Sequence, residues 1–289
     1  MQSSTPPIDP ALRRGFRNEA RATLHAAPGH APRRFLVFVR SGATPVPQPR
    51  WDLAGPARSF DIIANFFAPP AEGCWLLESA DYVTSGGWSK FSAAKQLLSA
   101  ELLERYAGVL LLDDDVETHF DPGAFGAWVS QQGIDLAQAS LTADSVAGHR
   151  VCMNHPSCAW RETNFVEVMA PYFTQALLRA AIADFDRSIS TWGLDVLWGA
   201  RYGRSHKLAV VDLFTMAHRR PSDLASGAFY QYLRSIGVDP VQELAGILRT
   251  LGLERFDIET RRVVFLADGI QLSPGVAPGV ASKQIRPQS

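Results

Sequence analysis

Three consecutive carboxylates, Asp113, Asp114 and Asp115, close the apolar run GVLLL that begins at Gly108. Adjacent like charges repel, so the pattern implies a partner that offsets them. On a regular strand Asp113 and Asp115 project to one side and Asp114 to the other. Two hard oxygen donors on one side suit Mg²⁺ or Mn²⁺, with a substrate diphosphate supplying further oxygens. The plainer reading, in which the carboxylates cap the helix after Asp121 or line an exposed turn, stands beside it. A helix-loop-helix calcium loop is excluded, because its sixth and twelfth positions counted from Asp113 hold Thr118 and Ala124 in place of Gly and Glu. A strand ending in DxD also opens haloacid-dehalogenase-type phosphatases; with Asp113 as nucleophile that is the alternative activity, although the motif expects Thr or Val where Glu117 stands.

Further side chains of the same kind lie downstream. In ISTWGLDVLWG, Asp195 follows Trp192 and Gly193 at a helix start. Glycine there permits close backbone approach, the indole face can cover a sugar or base, and a helix start favours negative charge. Asp195 is thus either a base or a helix cap. LAVVDLFTMAH ends a strand on His218, a nitrogen donor suited to a transition metal. Glu167, in FVEVMAPYFT, either reaches a sugar or faces solvent while Val166 and Val168 pack. Cys152, His155 and Cys158 in CMNHPSC lack a fourth ligand and the usual zinc spacings, which leaves a loop near the acceptor. Trp160 beside it is either a sugar-stacking surface or an interior residue.

The elements that must position these groups alternate in type. FLVFV, FDIIANFF, GVLLLDDDV, LAQASLT, FVEVMAPYFT and LAVVDLFTMAH read as strands. SKFSAAKQLLSAELLERYAG, with Ser89 or Ser92 as N-cap and Gly108 as stop, DPGAFGAWVSQQG, and QALLRAAIADFD read as helices between them. Strands separated by helices imply a doubly wound α/β sheet, whose ligands gather beyond the carboxyl ends of the strands. With 289 residues, 46% hydrophobic content and a formal net charge of -1, the chain can bury a substantial core and has no general electrostatic reason to hold nucleic acid or an anionic membrane. Three cysteines without a CxxC pair suit a reducing, cytoplasmic compartment, and no run approaches a membrane span or a signal-peptide core. The expected organisation is an irregular lead-in over 1–32, an α/β domain over 33–222, a helical extension over 223–270 and a flexible tail over 271–289.

From Phe35 to about Pro221 the chain resembles the family known as domain of unknown function 707. The resemblance rests on GGWSKFSAAKQLL, LLLDDDVETHFDPGAFGAWVSQQGIDLAQASLTADS, FVEVMAPYFTQALLRAA, WGLDVLWG and AVVDLFTMAH, in that order. That family is similar to GT-A fold nucleotide-sugar glycosyltransferases, so the resemblance implies a GT-A-like, Rossmann-type, mostly parallel central sheet flanked by helices. It implies transfer of a sugar from a nucleotide diphosphate sugar to an acceptor hydroxyl of a glycan or small molecule, with Mn²⁺ or Mg²⁺. It assigns Asp113, Asp115 and His218 to the metal and diphosphate, Asp114 to the ribose, and Asp195 to the base of an inverting reaction. Leu194 replaces the Glu that commonly precedes that base. Arg40 and Ser41 fall where nucleotide bases rest, and Lys90 and Lys95 at basic positions that steady phosphates. A protein that keeps this fold and binds nucleotide sugar without catalysis is the remaining alternative.

Overall fold

The computed structural model describes residues 16–146, 148–220, 225 and 227–266, with two short strand segments at 271–272 and 284–285. The lead-in before residue 16 and most of the tail after 266 therefore lie outside the described residues. In chain order the elements are β1 (Thr23–Ala26), β2 (Phe35–Ser41), β3 (Phe60–Phe66), α1 (Trp75–Ser79), β4 (Tyr82–Ser85), α2 (Lys90–Leu97), α3 (Ala100–Leu103), β5 (Gly108–Asp113) and β6 (Val116–Thr118). There follow α4 (Pro122–Gln131), β7 (Leu136–Leu141), β8 (Cys158–Thr163), β9 (Tyr172–Thr174), α5 (Gln175–Ala181), α6 (Leu194–Tyr202), β10 (Leu208–His218), α7 (Ala228–Ser235) and α8 (Pro240–Leu251). The short strands β11 (Phe256–Asp257), β12 (Thr260–Phe265), β13 (Gln271–Leu272) and β14 (Gln284–Ile285) complete the order.

One sheet runs β1-β4-β3-β2-β5-β9-β7-β10-β8-β12-β13, with β6 paired onto β10. Strands β4, β3, β2 and β5 are mutually parallel, and β7 is parallel to β10. The remaining ladders are antiparallel, β9 being inserted between β5 and β7. The chain is thus α/β as expected, with parallel strands where the acidic triplet emerges and antiparallel ones beyond. Strand β2 shows why the middle of the sheet is covered on both faces: every residue of FLVFVRS is buried. Phe35, Val37 and Val39 pack into one core with Phe125 and Val129 of α4, while Leu36 and Phe38 join another with Phe91, Phe173, Phe185 and Trp198.

β1 lies in the stretch read as an irregular lead-in, and β11 and β12 lie in the stretch read as a helical extension, β1 and β12 both joining the main sheet; two further elements depart from the sequence reading for local reasons. FVEVMAPYFT keeps strand pairing only over β9; in 165–171 the N–H groups of Leu111 and Asp113 donate to Pro171 and Met169, Pro171 has no N–H to return, and a lysine takes the carbonyls of Val168 and Met169. The long helix expected after Ser89 is broken at Leu98, because Ser99 accepts from Leu102 N–H and caps a separate helix. Ser89 caps the first, accepting from Ser92 N–H. No described helix is long and apolar enough to cross a membrane.

Candidate active site

Strand β5 stops at Asp113, and Asp114 and Asp115 form the turn into β6. Strict alternation therefore does not distribute the three carboxylates; the turn does, and each finds a different partner. β6 pairs antiparallel with the end of β10, Val116 opposite His218, and this register brings Asp115 and His218 together. His218 Nε2 lies 3.3 Å from Asp115 Oδ2. Its Nδ1 lies 2.9 Å from the carbonyl of Val146, which fixes the ring orientation. Burial pulls the imidazole down, but the hydrogen bond and charge of Asp115, then the Val146 carbonyl and the charge of Asp113, outweigh it and push it up to about 9.

Asp113 faces a different cation. Lys90, at the first turn of α2 with 3% of its side chain exposed, places Nζ 2.8 Å from Asp113 Oδ1. The same ammonium donates to the carbonyls of Val168 at 2.7 Å and Met169 at 2.8 Å, so all three of its protons are engaged. Asp113 keeps 39% of its side chain open, yet protein crowds it enough that desolvation raises its carboxyl above the usual range, against the lowering effect of Lys90. Desolvation likewise lowers Lys90, against Asp113. Asp114 turns to the loop after β2: its Oδ2 accepts from Gly42 N–H at 2.8 Å, and its Oδ1 lies 3.5 Å from Arg220. Burial pushes its carboxyl to about 6.

Asp195 occupies the first turn of α6 and is 9% exposed. Its Oδ1 accepts from Val196 N–H at 2.8 Å, satisfying an N–H that the helix start leaves without a partner. The N-cap itself is Gly193, so Asp195 supports the first turn from inside it. Desolvation nevertheless pushes its carboxyl to about 7, and the charge of Glu167 adds to the rise. Glu167, 8% exposed, stands in 165–171, where Gln138 accepts its N–H. The segment that Lys90 ties to Asp113 is thus the segment that carries Glu167 towards Asp195. Gly193 precedes α6 at φ 85°, a conformation that glycine adopts without strain. Trp192 Nε1 lies 3.4 Å from the phenol of Tyr230 on α7, with the rings edge to face. Burial first, and the charge of Asp113 after it, raise that phenol.

Three expected site residues have other engagements. Arg40 is 7% exposed and its guanidinium donates to Asn65, Asn18 and the carbonyls of Gly86 and Gly87. Ser41 is fully buried, its hydroxyl donating to the carbonyl of Gly42. Lys95, five residues after Lys90 on α2, turns to Asp186 at 2.7 Å and the carbonyl of Ala183, away from the triplet. Trp160 is an interior residue, 4% exposed, with Lys207 and Arg262 over its ring. Cys152 and Cys158 are buried and free, and His155 contributes its N–H to Asp212.

Oxygen and imidazole donors on Asp113, Asp115 and His218 form a set that fits Mn²⁺ or Mg²⁺, and a His218 ring held through Nδ1 is the arrangement that leaves Nε2 for a metal. The three side chains are not drawn into one tight cluster. Among the described residues the group whose donor atoms all lie within 4.8 Å of one another is His30, Asp61 and Asp81. That group already holds cations: Arg33 bridges Asp61 and Asp81, and Arg58 pairs with Asp81. Sequence reasoning missed the Gly42 N–H, the Val146 carbonyl, Arg220 and Tyr230. Arg220, two residues after His218, was within reach of inspection; the others depend on backbone groups or on the packing of α7.

No family model matches the chain, and no curated protein matches it. Similar solved structures include A197 from STIV, at 12% identity and TM-score 0.38 over 86% of this chain and 97% of that one. GalNAc-T7 with UDP, GalNAc and Mn²⁺ is similar at 10% identity and TM-score 0.47, over 76% of this chain and 48% of that one. S. aureus TarS is similar at 15% identity and TM-score 0.39, over 74% of this chain and 43% of that one. The chain spans less than half the length of the last two.

Proposed function

We propose that the protein is a metal-dependent glycosyltransferase that moves a sugar from a nucleotide diphosphate sugar to an acceptor hydroxyl, with inversion. The observation that carries this reading is the pairing of Asp115 with a His218 ring oriented by Val146, beside Asp113 at the end of a parallel strand. The ordered stretches in which the sequence resembles the domain of unknown function 707 family point the same way, although no family model matches the chain. Asp113, Asp115 and His218 would hold Mn²⁺ or Mg²⁺, which as a Lewis acid would stabilise the charge that develops on the departing diphosphate. The acceptor oxygen attacks the anomeric carbon, the bond from that carbon to the diphosphate breaks, and the hydroxyl proton passes to the Asp195 carboxylate. A carboxyl near 7 suits a base at neutral pH, a contribution of about 10²–10⁴ in rate. Burial, with the charge of Glu167 as a lesser contribution, keeps the proton affinity of Asp195 high, and Trp192 packs edge to face on Tyr230 close to the start of that helix.

The test is thermal. A nucleoside diphosphate with Mn²⁺ raises the melting temperature of the wild-type protein, and Asp115→Ala removes the rise. No rise with any nucleoside diphosphate refutes the reading. Turnover of a generic phosphate ester, lost in Asp113→Asn, would replace it with the phosphatase.

A further inference from the structure

Among the described residues Thr191, at φ 71°, is the one non-glycine with a left-handed backbone. There a Cβ crowds the following carbonyl oxygen, worst for a β-branched side chain, so the conformation persists only where neighbouring groups impose it. The imposing group comes from α8. Glu243 Oε1 accepts from Ile189 N–H at 2.9 Å, while Oε2 accepts from Ser190 N–H at 2.7 Å and from the Ser188 hydroxyl at 2.9 Å. Ser188 and Ser190 are buried, so the carboxylate takes the place of water there. Ser190 Oγ in turn accepts from Trp192 N–H at 3.3 Å, and the carbonyl of Thr191 from Leu194 N–H at 3.2 Å. Two more residues of α8 pack on the same turn: a Cβ on Gly193 would stand 3.0 Å from Ile247 Cδ1 and 3.1 Å from Leu244 Cδ1. The turn held in this way starts the helix α6, whose second residue is Asp195.

We propose that Glu243 is a positioning residue for Asp195: its carboxylate fixes 188–190, forces Thr191 left-handed and so sets the direction in which α6 starts and presents its carboxyl. The inference rests on the reading of Asp195 as the base of transfer. Glutamine cannot replace Glu243, because its carbonyl oxygen would serve one N–H while its NH₂ met a second donor. Thr191→Gly takes the same φ without strain and needs less holding. Asp113, Asp115 and His218 draw their partners from Lys90, Val146 and one another, so nucleotide affinity should not follow Glu243.

The experiment needs no sugar donor. Urea unfolding across pH compares the wild type with Asp195→Asn, and repeats that pair in Glu243→Gln and in Glu243→Gln combined with Thr191→Gly. The difference within each pair isolates the Asp195 carboxyl, and Glu167, whose charge acts on it, is present throughout. Titration at about 7 in the wild-type pair should fall by about one unit or more in the Glu243→Gln pair, about a tenfold loss of proton affinity, because a loosened helix start admits water to the carboxyl. Adding Thr191→Gly should restore most of it. A midpoint that Glu243→Gln leaves in place, even with lower overall stability, or one that Thr191→Gly does not restore, overturns the positioning role and leaves the proposed function standing. Should Glu243→Gln not fold, Glu243→Asp, which keeps both oxygens on a shorter stem, is judged by the same shift. The thermal shift given by UDP, GDP, ADP and CDP with MnCl₂ should be alike in the wild type and Glu243→Gln; a shift lost only in Glu243→Gln overturns the role assigned here, and no shift in the wild type overturns the proposed function and, with it, the base that Glu243 positions.

Discussion

Replacing Lys90 by methionine removes the ammonium that joins Asp113 to the 165–171 segment while keeping a side chain of similar length. The carbonyl of Val168 loses its donor while that of Met169 keeps the N–H of Asp113, and an orphaned buried acceptor costs about 1–3 kcal/mol. Breaking a buried ion pair from one side costs about 3–5 kcal/mol when the abandoned charge stays dry. Asp113 does not stay dry, since 39% of its side chain is open, and the desolvation borne by Lys90 is relieved at the same time. The expected loss is therefore about 2–4 kcal/mol, or a fall in melting temperature of about 4–16 °C at about 2–4 °C per kcal/mol. Urea unfolding of Lys90→Met, Asp113→Asn and the double variant measures it, with a coupling of about 1–2 kcal/mol expected because the two groups touch. Hydrogen exchange across 165–171 should accelerate in Lys90→Met. A loss below about 1 kcal/mol, or strict additivity of the two substitutions, would refute the view that this lysine ties the segment to the triplet.

Asp195 predicts a pH dependence. Its carboxyl titrates near 7 in the folded chain, against 3.8 as its ordinary value, so between those limits the folded state holds a proton that the unfolded state has released. Stability contributed by this group falls as pH rises through that window; Asp195→Asn removes the fall, gaining up to about 4 kcal/mol at pH 8 and nothing below pH 4 in chemical denaturation. Transferase activity should rise with pH to a plateau above about 7 and be lost in the same variant. Arg161→Met leaves Asp212 buried without its bidentate partner and should destabilise the protein by about 3–5 kcal/mol in urea unfolding. Gly193→Ala places a Cβ at φ 85° and 3.0 Å from Ile247 Cδ1, which should lower stability by about 1–2 kcal/mol in the same assay.

How much of this was legible in the sequence depends on what decides each feature. β2 and β5 were readable because burial on both faces demands an unbroken apolar run. The 165–171 segment looked identical, yet its pairing is decided by Pro171 and by a lysine about eighty residues earlier, which no local pattern contains. The partnership of Asp115 with His218 was foreseen as chemistry and is delivered by ladder register. The distribution of the triplet is set by the turn after Asp113 more than by alternation, because alternation holds along a strand and the strand ends there. Arg40 and Lys95 have the residue type of ligand contacts, and only their hydrogen bonds and ion pairs show that they serve the fold.

The hairpin that carries Asp115 works as a ruler. Because Val116 faces His218, Glu117 faces Ala217 and Thr118 faces Met216, the separation of carboxylate and imidazole is set by a ladder and not by a loop that can stretch. One residue inserted between Asp113 and Val116 would either lengthen the bend or slip the ladder, and a slip exchanges the two faces of β6 and sends its inner side chains outward. Descendants of this chain can therefore vary freely in the length of other connections, while the stretch from Asp113 to Thr118 should admit no gain or loss of residues.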